Sequence, residues 1–197
     1  MNSFERLKLI AINNGGIITT SAADKSSVSR SMLHKLCKEG KIERIADGQY
    51  ILQSDIQDEL YSLSLRSNKF VFSHETALFL HGLSDRTPFE HTVTISADSS
   101  PSEFMKRECK IYYIKAELFD LGKTKINTQF GNSVSTYNLE RTVCDLIRSR
   151  NRIGTETLLA ALKAYSLRPD KNLNLLYDYA IKLRVSSALR KYMEVLL

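Results

Sequence analysis
The 197-residue chain is predicted to be α+β: an N-terminal winged helix-turn-helix, then a mixed α/β domain ending in a helical bundle. Three observations predict it. Residues 3–53 read as helix, short strand, short helix, longer helix and hairpin, the order of a winged helix. Short strand patterns alternate with helices between residues 70 and 137. From Leu139 onward only helical periodicity remains, which favours α+β over a doubly wound sheet. The expected domains are residues 1–53 and 54–197.

Each element has a local cause. Phe4, Leu7, Ile10 and Ala11 recur at helical spacing and predict a helix over 3–13. Asn13-Asn14-Gly15-Gly16 ends it. Ile17 and Ile18 form a short strand, and Thr19 or Thr20 caps a brief helix to Lys25. Ser26 or Ser27 is the expected cap of the next helix, which runs to Glu39. Val28, Met32, Leu33, Leu36 and Cys37 form its apolar face. Ile42–Ile45 and Tyr50–Leu52 flank Ala46-Asp47-Gly48, a hairpin signal. Residues 55–66 read as helix, 70–72 as a buried strand, 75–81 as a short helix, and 91–96 and 110–114 as strands. Pro101 is expected to open a helix to about Arg107. A second hairpin turns at Gly131-Asn132. The final helices are expected at about 139–150, 155–167, 172–184 and 186–197.

Charge sharpens this division. The net charge is +6, from 28 Lys+Arg against 22 Asp+Glu. Residues 1–53 hold 8 basic and 5 acidic side chains, residues 54–140 hold 9 and 12, and residues 141–197 hold 11 and 5. Both ends are basic, which suggests nucleic acid or an anionic membrane as partner, although such a balance also serves solubility alone. No apolar run reaches the roughly 18–20 residues needed to span a bilayer. Glu5, Arg6 and Lys8 interrupt the apolar residues of the N-terminus, so no secretory signal is expected. Cys37, Cys109 and Cys144 are odd in number and far apart, which suits reduced thiols and a cytoplasmic setting.

The helix after Lys25 is the candidate reading element. Opposite its apolar face lie Ser27, Arg30, Ser31, His34 and Lys38, with Lys35 at the edge. An arginine can fork to a guanine, hydroxyls adapt to either strand, and lysine seeks phosphate. Lys25, Ser26 and the helix N-terminus offer a phosphate contact. Lys41, Arg44 and Gln49 belong to the hairpin wing. Winged helices also dock proteins, in which case this face is only solvated. A second basic surface is expected from Arg141, Arg148, Arg150, Arg152, Lys163, Lys182 and Arg184, with Arg190 and Lys191 as weaker members. The bland alternative there is an i, i+4 pair between Arg141 and Asp145.

Catalytic and metal signatures are lacking. His74-Glu75 and His81 do not have the i, i+4 histidine pair of a zincin helix. There is no Cys-x-x-Cys, P-loop or Gly-x-Ser-x-Gly. No catalytic residue, metal site or cofactor is expected, and Tyr112, Tyr113, Tyr165, Tyr177, Tyr179 and Tyr192 are expected mostly in the core.

The segment GGIITTSAADKSSVSRSMLHKLCKEGKIERIADGQYIL (residues 15–52) resembles the N-terminal domain of AbiEi-type antitoxins. These belong to type IV AbiE abortive-infection toxin–antitoxin systems of bacteria. SHETALFLHGLS (73–84) is similar to the family's Ser-x-x-(Ser/Thr)-Ala-Leu…His-Gly-Leu segment, and NLERTVCDLIR (138–148) to its Glu-Arg-Thr-x-x-Asp-Leu segment. The resemblance implies a DNA-binding N-terminal domain that represses its own operon; the lack of catalytic motifs predicts no enzyme, and the lack of a leucine heptad or long exposed apolar helix predicts a monomer that pairs on inverted repeats in its own promoter. The resemblance also implies a C-terminal domain that counteracts a nucleotidyltransferase-like toxin without a stable complex. The alternatives are a generic winged-helix regulator and an antitoxin that binds its toxin directly.

Overall fold
The computed structural model describes residues 1–84 and 86–196. The chain is mixed α+β, with two sheets, and divides into two compact units. One comprises Met1–Ser67 with Asn127–Ser133, the other Asn68–Ile126 with Val134–Leu197. The first unit therefore continues past the expected boundary at residue 53 and takes in a short stretch from far along the chain.

In the first unit, α1 (Ser3–Asn13) is capped by Asn2, whose side chain accepts the Glu5 amide at 2.9 Å. It leads to β1 (Ile18–Thr19) and α2 (Thr20–Lys25), capped by Thr19. The next helix, α3, spans Arg30–Lys38 and is capped by Ser29, so the expected caps Ser26 and Ser27 are corrected. The reason is the end of α2. The Val28 amide bonds back to the Ala23 carbonyl at 2.9 Å, which closes α2 and leaves Ser27 left-handed at φ 58°.

The hairpin is β2 (Ile42–Ala46) and β3 (Gln49–Leu52), joined by Asp47-Gly48, with a register shift between Arg44 and Ala46. The sheet order is β1-β3-β2. Leu7, Ala11, Ile18, Ala23, Val28, Leu33, Leu36 and Ile42 form one buried cluster. These are the positions whose periodicity marks the elements, so burial is the cause of the pattern.

Helix α4 (Glu59–Arg66) completes this unit and starts four residues later than the pattern predicts. Its cap, Asp58, is 4% exposed. One carboxylate oxygen accepts the Tyr61 amide at 3.1 Å. The other accepts the Thr128 hydroxyl at 2.6 Å and the Asn132 amide at 2.8 Å. Asn132 also donates to the Gly15 carbonyl at 3.1 Å. A buried carboxylate is retained only when its lone pairs are filled, and here the 127–133 stretch fills them.

The second unit contains β4 (Phe70–Phe72), α5 (His74–Leu80), β5 (His91–Ser96), α6 (Glu103–Glu108), β6 (Cys109–Ile114) and α7 (Ala116–Phe119). Strands β7 (Lys123–Asn127) and β8 (Ser133–Tyr137) follow; their facing ends, Asn127 and Ser133, are counted with the first unit. The sheet order is β6-β5-β4-β8-β7. β4 pairs antiparallel with β5 and parallel with β8, while β5 and β6 are parallel. Helix α6 begins at Glu103, after Ser102, so Pro101 lies ahead of the helix instead of opening it.

The terminal block is α8 (Leu139–Arg148), a 3-10 turn at Arg150–Arg152, α9 (Thr155–Ser166), α10 (Leu173–Lys182) and α11 (Ser186–Leu196). Residues 139–147 of α8 are all buried. Val143, Cys144, Leu146, Leu158, Leu162, Tyr165, Leu176 and Ala180 are among the residues of the core built around it. Helix α10 ends with Arg184 left-handed at φ 58°, where its amide bonds to the Ile181 carbonyl and the Val185 amide to that of Ala180. Glycine is usual at this position, and a side chain there costs roughly 1 kcal/mol.

Candidate nucleic-acid interface
Helix α3 divides by burial as its sequence predicts. Leu33 and Leu36 are buried, Met32 and Cys37 half-buried, and Arg30, Ser31, His34, Lys35 and Lys38 exposed. Desolvation pushes the Cys37 thiol up from its ordinary pKa, so it stays a neutral packing group. Lys25 and Ser27 are exposed and Ser26 is half-buried. The Ser29 hydroxyl contacts that of Ser31 at 2.8 Å and caps the Met32 amide at 3.3 Å. The amides of Arg30 and Ser31 precede the first intrahelical bond and are left for an external acceptor.

The cations fall into two groups. Lys25, Arg30, His34 and Lys38 have no carboxylate partner among the described residues. Lys41 pairs with Glu39 at 2.8 Å, Lys35 with Glu39 at 3.9 Å, and Arg44 with Asp47 at 2.7 Å. The hydrogen bond from Lys41 holds the Glu39 carboxyl below its usual pKa. Exposed pairs of this kind are weak, so exchanging a carboxylate for a phosphate is inexpensive. Arg6, which the periodicity of α1 did not single out, donates to the Ser26 carbonyl at 3.1 Å and braces the α2–α3 turn.

Gln49 is corrected. It is 3% exposed, and its amide donates to the Ser62 carbonyl at 3.1 Å while its oxygen accepts the Ser62 hydroxyl. It ties β3 to α4 and presents nothing to a ligand. Its place in the hairpin wing predicts an exposed contact; α4, packed against β3, buries it.

Arg141 is corrected too. It is 0% exposed. Its guanidinium donates to Asp145 at 2.9 Å and to the carbonyls of Leu118 and Leu121 at 2.8 and 2.7 Å, and lies 4.2 Å from the Tyr137 ring centre. The other six side chains expected with it are exposed: Arg148, Arg150, Arg152, Lys163, Lys182 and Arg184. Arg148 donates to the Tyr113 carbonyl at 3.2 Å, and Arg152 stacks 4.3 Å from the centre of the Tyr112 ring. Arg150 and Arg184 line one pocket together with Lys191. Of the tyrosines, Tyr112, Tyr165 and Tyr179 are buried, Tyr192 is half-buried, and Tyr113 and Tyr177 are exposed.

His74 and His81 serve packing. His74 is buried and left-handed at φ 48°, stacks on Tyr112 at 3.5 Å, and bonds the hydroxyls of Ser73 and Ser149 at 2.9 and 3.0 Å. His81 donates to the Tyr137 carbonyl at 2.6 Å. No group of three or more His, Cys, Asp or Glu able to hold a metal occurs among the described residues, and none of the described helices is long and apolar enough to cross a membrane.

Residues 5–53 match the family described as "Transcriptional regulator, AbiEi antitoxin". The matched segment holds most of α1, and all of α2, α3 and the hairpin, and so all of the α3 face. That family is one of regulators and antitoxins. No curated protein sequence matches the chain. Among solved structures, the chain is similar to the crystal structure of the RV2827C protein from Mycobacterium tuberculosis. That likeness has a TM-score of 0.62 and 15% identity, over 91% of this chain and 71% of the other. At that identity the likeness concerns the fold alone.

Proposed function
We propose that the chain is an antitoxin of a type IV toxin–antitoxin system that represses its own promoter. Its first 53 residues act as a winged helix-turn-helix: α3 enters the major groove and the β2–β3 hairpin lies along the backbone. Residues 54–197 carry antitoxicity against a nucleotidyltransferase-like toxin, without a stable complex. The observation that carries the DNA reading is the α3 face, where Arg30, His34 and Lys38 stand exposed and without carboxylate partners inside the matched segment. Arg30 is the base reader; Lys25, Lys35, Lys38, Lys41 and Arg44 contact phosphate. Arg148, Lys163 and Lys182 add phosphate contacts from the terminal helices. Two protomers pair on an inverted repeat.

The test is titration of a fluorescent duplex from the chain's own promoter, against a scrambled duplex, at two salt concentrations. Sequence preference that Arg30→Ala removes supports the reading. Equal affinity for both duplexes, unaltered by Arg30→Ala, overturns it. Co-expression with the neighbouring gene tests the second half: rescue of growth without co-purification fits, and a stable complex does not.

A further inference from the structure
A pocket of about 700 Å³ opens in the second unit among the 3-10 turn, α9 and the α10–α11 junction. Arg150, Arg184 and Lys191 line it, and none of its lining residues is acidic. Leu159, Ala188 and Tyr192 form a less polar wall. Arg150 spends one donor on the Ile147 carbonyl at 3.1 Å; the side chains of Arg184 and Lys191 have no ion pair or hydrogen bond among the described residues. Three cations converging without a counter-charge repel one another unless an anion joins them.

Two features sharpen this. Arg184 occupies a left-handed position that favours glycine, so the chain holds a long cation where local backbone preference argues against one. The amides of Ser187 and Ala188, which also line the pocket, precede the first bond of α11, from the Leu189 amide to the Val185 carbonyl at 2.8 Å, and are spare donors among the described residues. The volume suits a small molecule.

We propose that this pocket binds a nucleotide bearing two or more phosphates, the phosphates on Arg150, Arg184 and Lys191 and the base against Leu159 and Tyr192. This does not depend on the operator reading. It would make the second unit responsive to a cellular nucleotide.

The experiment is calorimetric titration of the full chain with ATP, ADP, pyrophosphate and a single-stranded 12-mer, repeated with Arg184→Gly and Lys191→Gln. Arg184→Gly relieves the backbone and removes the charge, so its melting temperature holds or rises while binding falls. The expected result is one ATP or ADP site per chain, tighter than pyrophosphate, weakened roughly tenfold or more in each variant. Pyrophosphate binding as tightly as ATP overturns the assignment of the wall to a base. Binding of the 12-mer alone, or nucleotide binding indifferent to both variants, overturns the proposal. Operator affinity is measured on the same samples: its loss in Arg184→Gly with nucleotide binding intact assigns Arg184 to DNA and overturns the pocket.

Discussion

Arg141 donates to Asp145 at 2.9 Å with neither side chain more than 2% exposed. Both lie on α8, one turn apart. A buried pair is a poor source of net stability, but breaking it leaves a naked charge in the core. Asp145→Ala should therefore cost about 3–5 kcal/mol, and Arg141→Met at least as much, because the Leu118 and Leu121 carbonyls then lose their donor. The double variant Arg141→Met/Asp145→Leu should recover part of that loss. Urea denaturation of the three variants checks it; additive losses would mean the pair is not coupled.

Gly15 and Asn132 meet within the first unit. Gly15 is at φ 60°, and a Cβ there would lie 2.1 Å from Asn132 Oδ1 and 2.7 Å from the Tyr61 ring. Gly15→Ala should destabilise by about 2 kcal/mol or more, combining left-handed strain with the clash. Adding Asn132→Ala removes the nearest obstacle and should restore only part of the loss. Melting temperatures of the single and double variants decide it.

On DNA, Arg30 and Lys38 should differ in kind. Arg30→Ala should cost about 1–3 kcal/mol on the operator and relax preference at one base position. Lys38→Ala should weaken all sequences alike and flatten the logarithmic salt slope by about one unit. Gln49→Ala is the control: it should lower the melting temperature through the lost bonds to Ser62 and leave base preference alone.

Burial holds the His74 pKa well below 6.5, with the Arg148 charge adding to it, and burial also lowers that of His81. Below pH 6.5 the unfolded chain therefore binds protons that the native chain does not. The stability these two groups contribute is complete above pH 6.5 and is lost as pH falls. Each adds up to about 1.4 kcal/mol per pH unit while its folded form stays neutral. His74→Asn keeps a residue tolerant of left-handed backbone and should reduce the fall in stability between pH 6.5 and 5. An unchanged pH profile would remove His74 as the cause.

The N-terminal elements were legible in sequence because each closes locally. The apolar stripe of α3, the Asp47-Gly48 turn and the helix-spaced residues of α1 specify their own partners within about 50 residues. The caps were misplaced only where two local signals competed, as at Ser26, Ser27 and Ser29. Gln49 and Arg141 were misread for one shared reason. The local pattern of an element cannot tell whether another segment of the chain will cover it, and α4 and the Leu118–Leu121 carbonyls do so.

By itself, then, the sequence determined the mixed α+β class, the order of the first elements and the exposed cations of α3, all set by short-range periodicity and turn chemistry. Only the tertiary structure decided which charges are buried and which converge. It drew the 127–133 turn to Asp58, enclosed Arg141 with Asp145, and gathered Arg150, Arg184 and Lys191 around one pocket. Those outcomes depend on contacts between residues tens of positions apart, where desolvation and hydrogen-bond satisfaction, rather than local propensity, choose the arrangement.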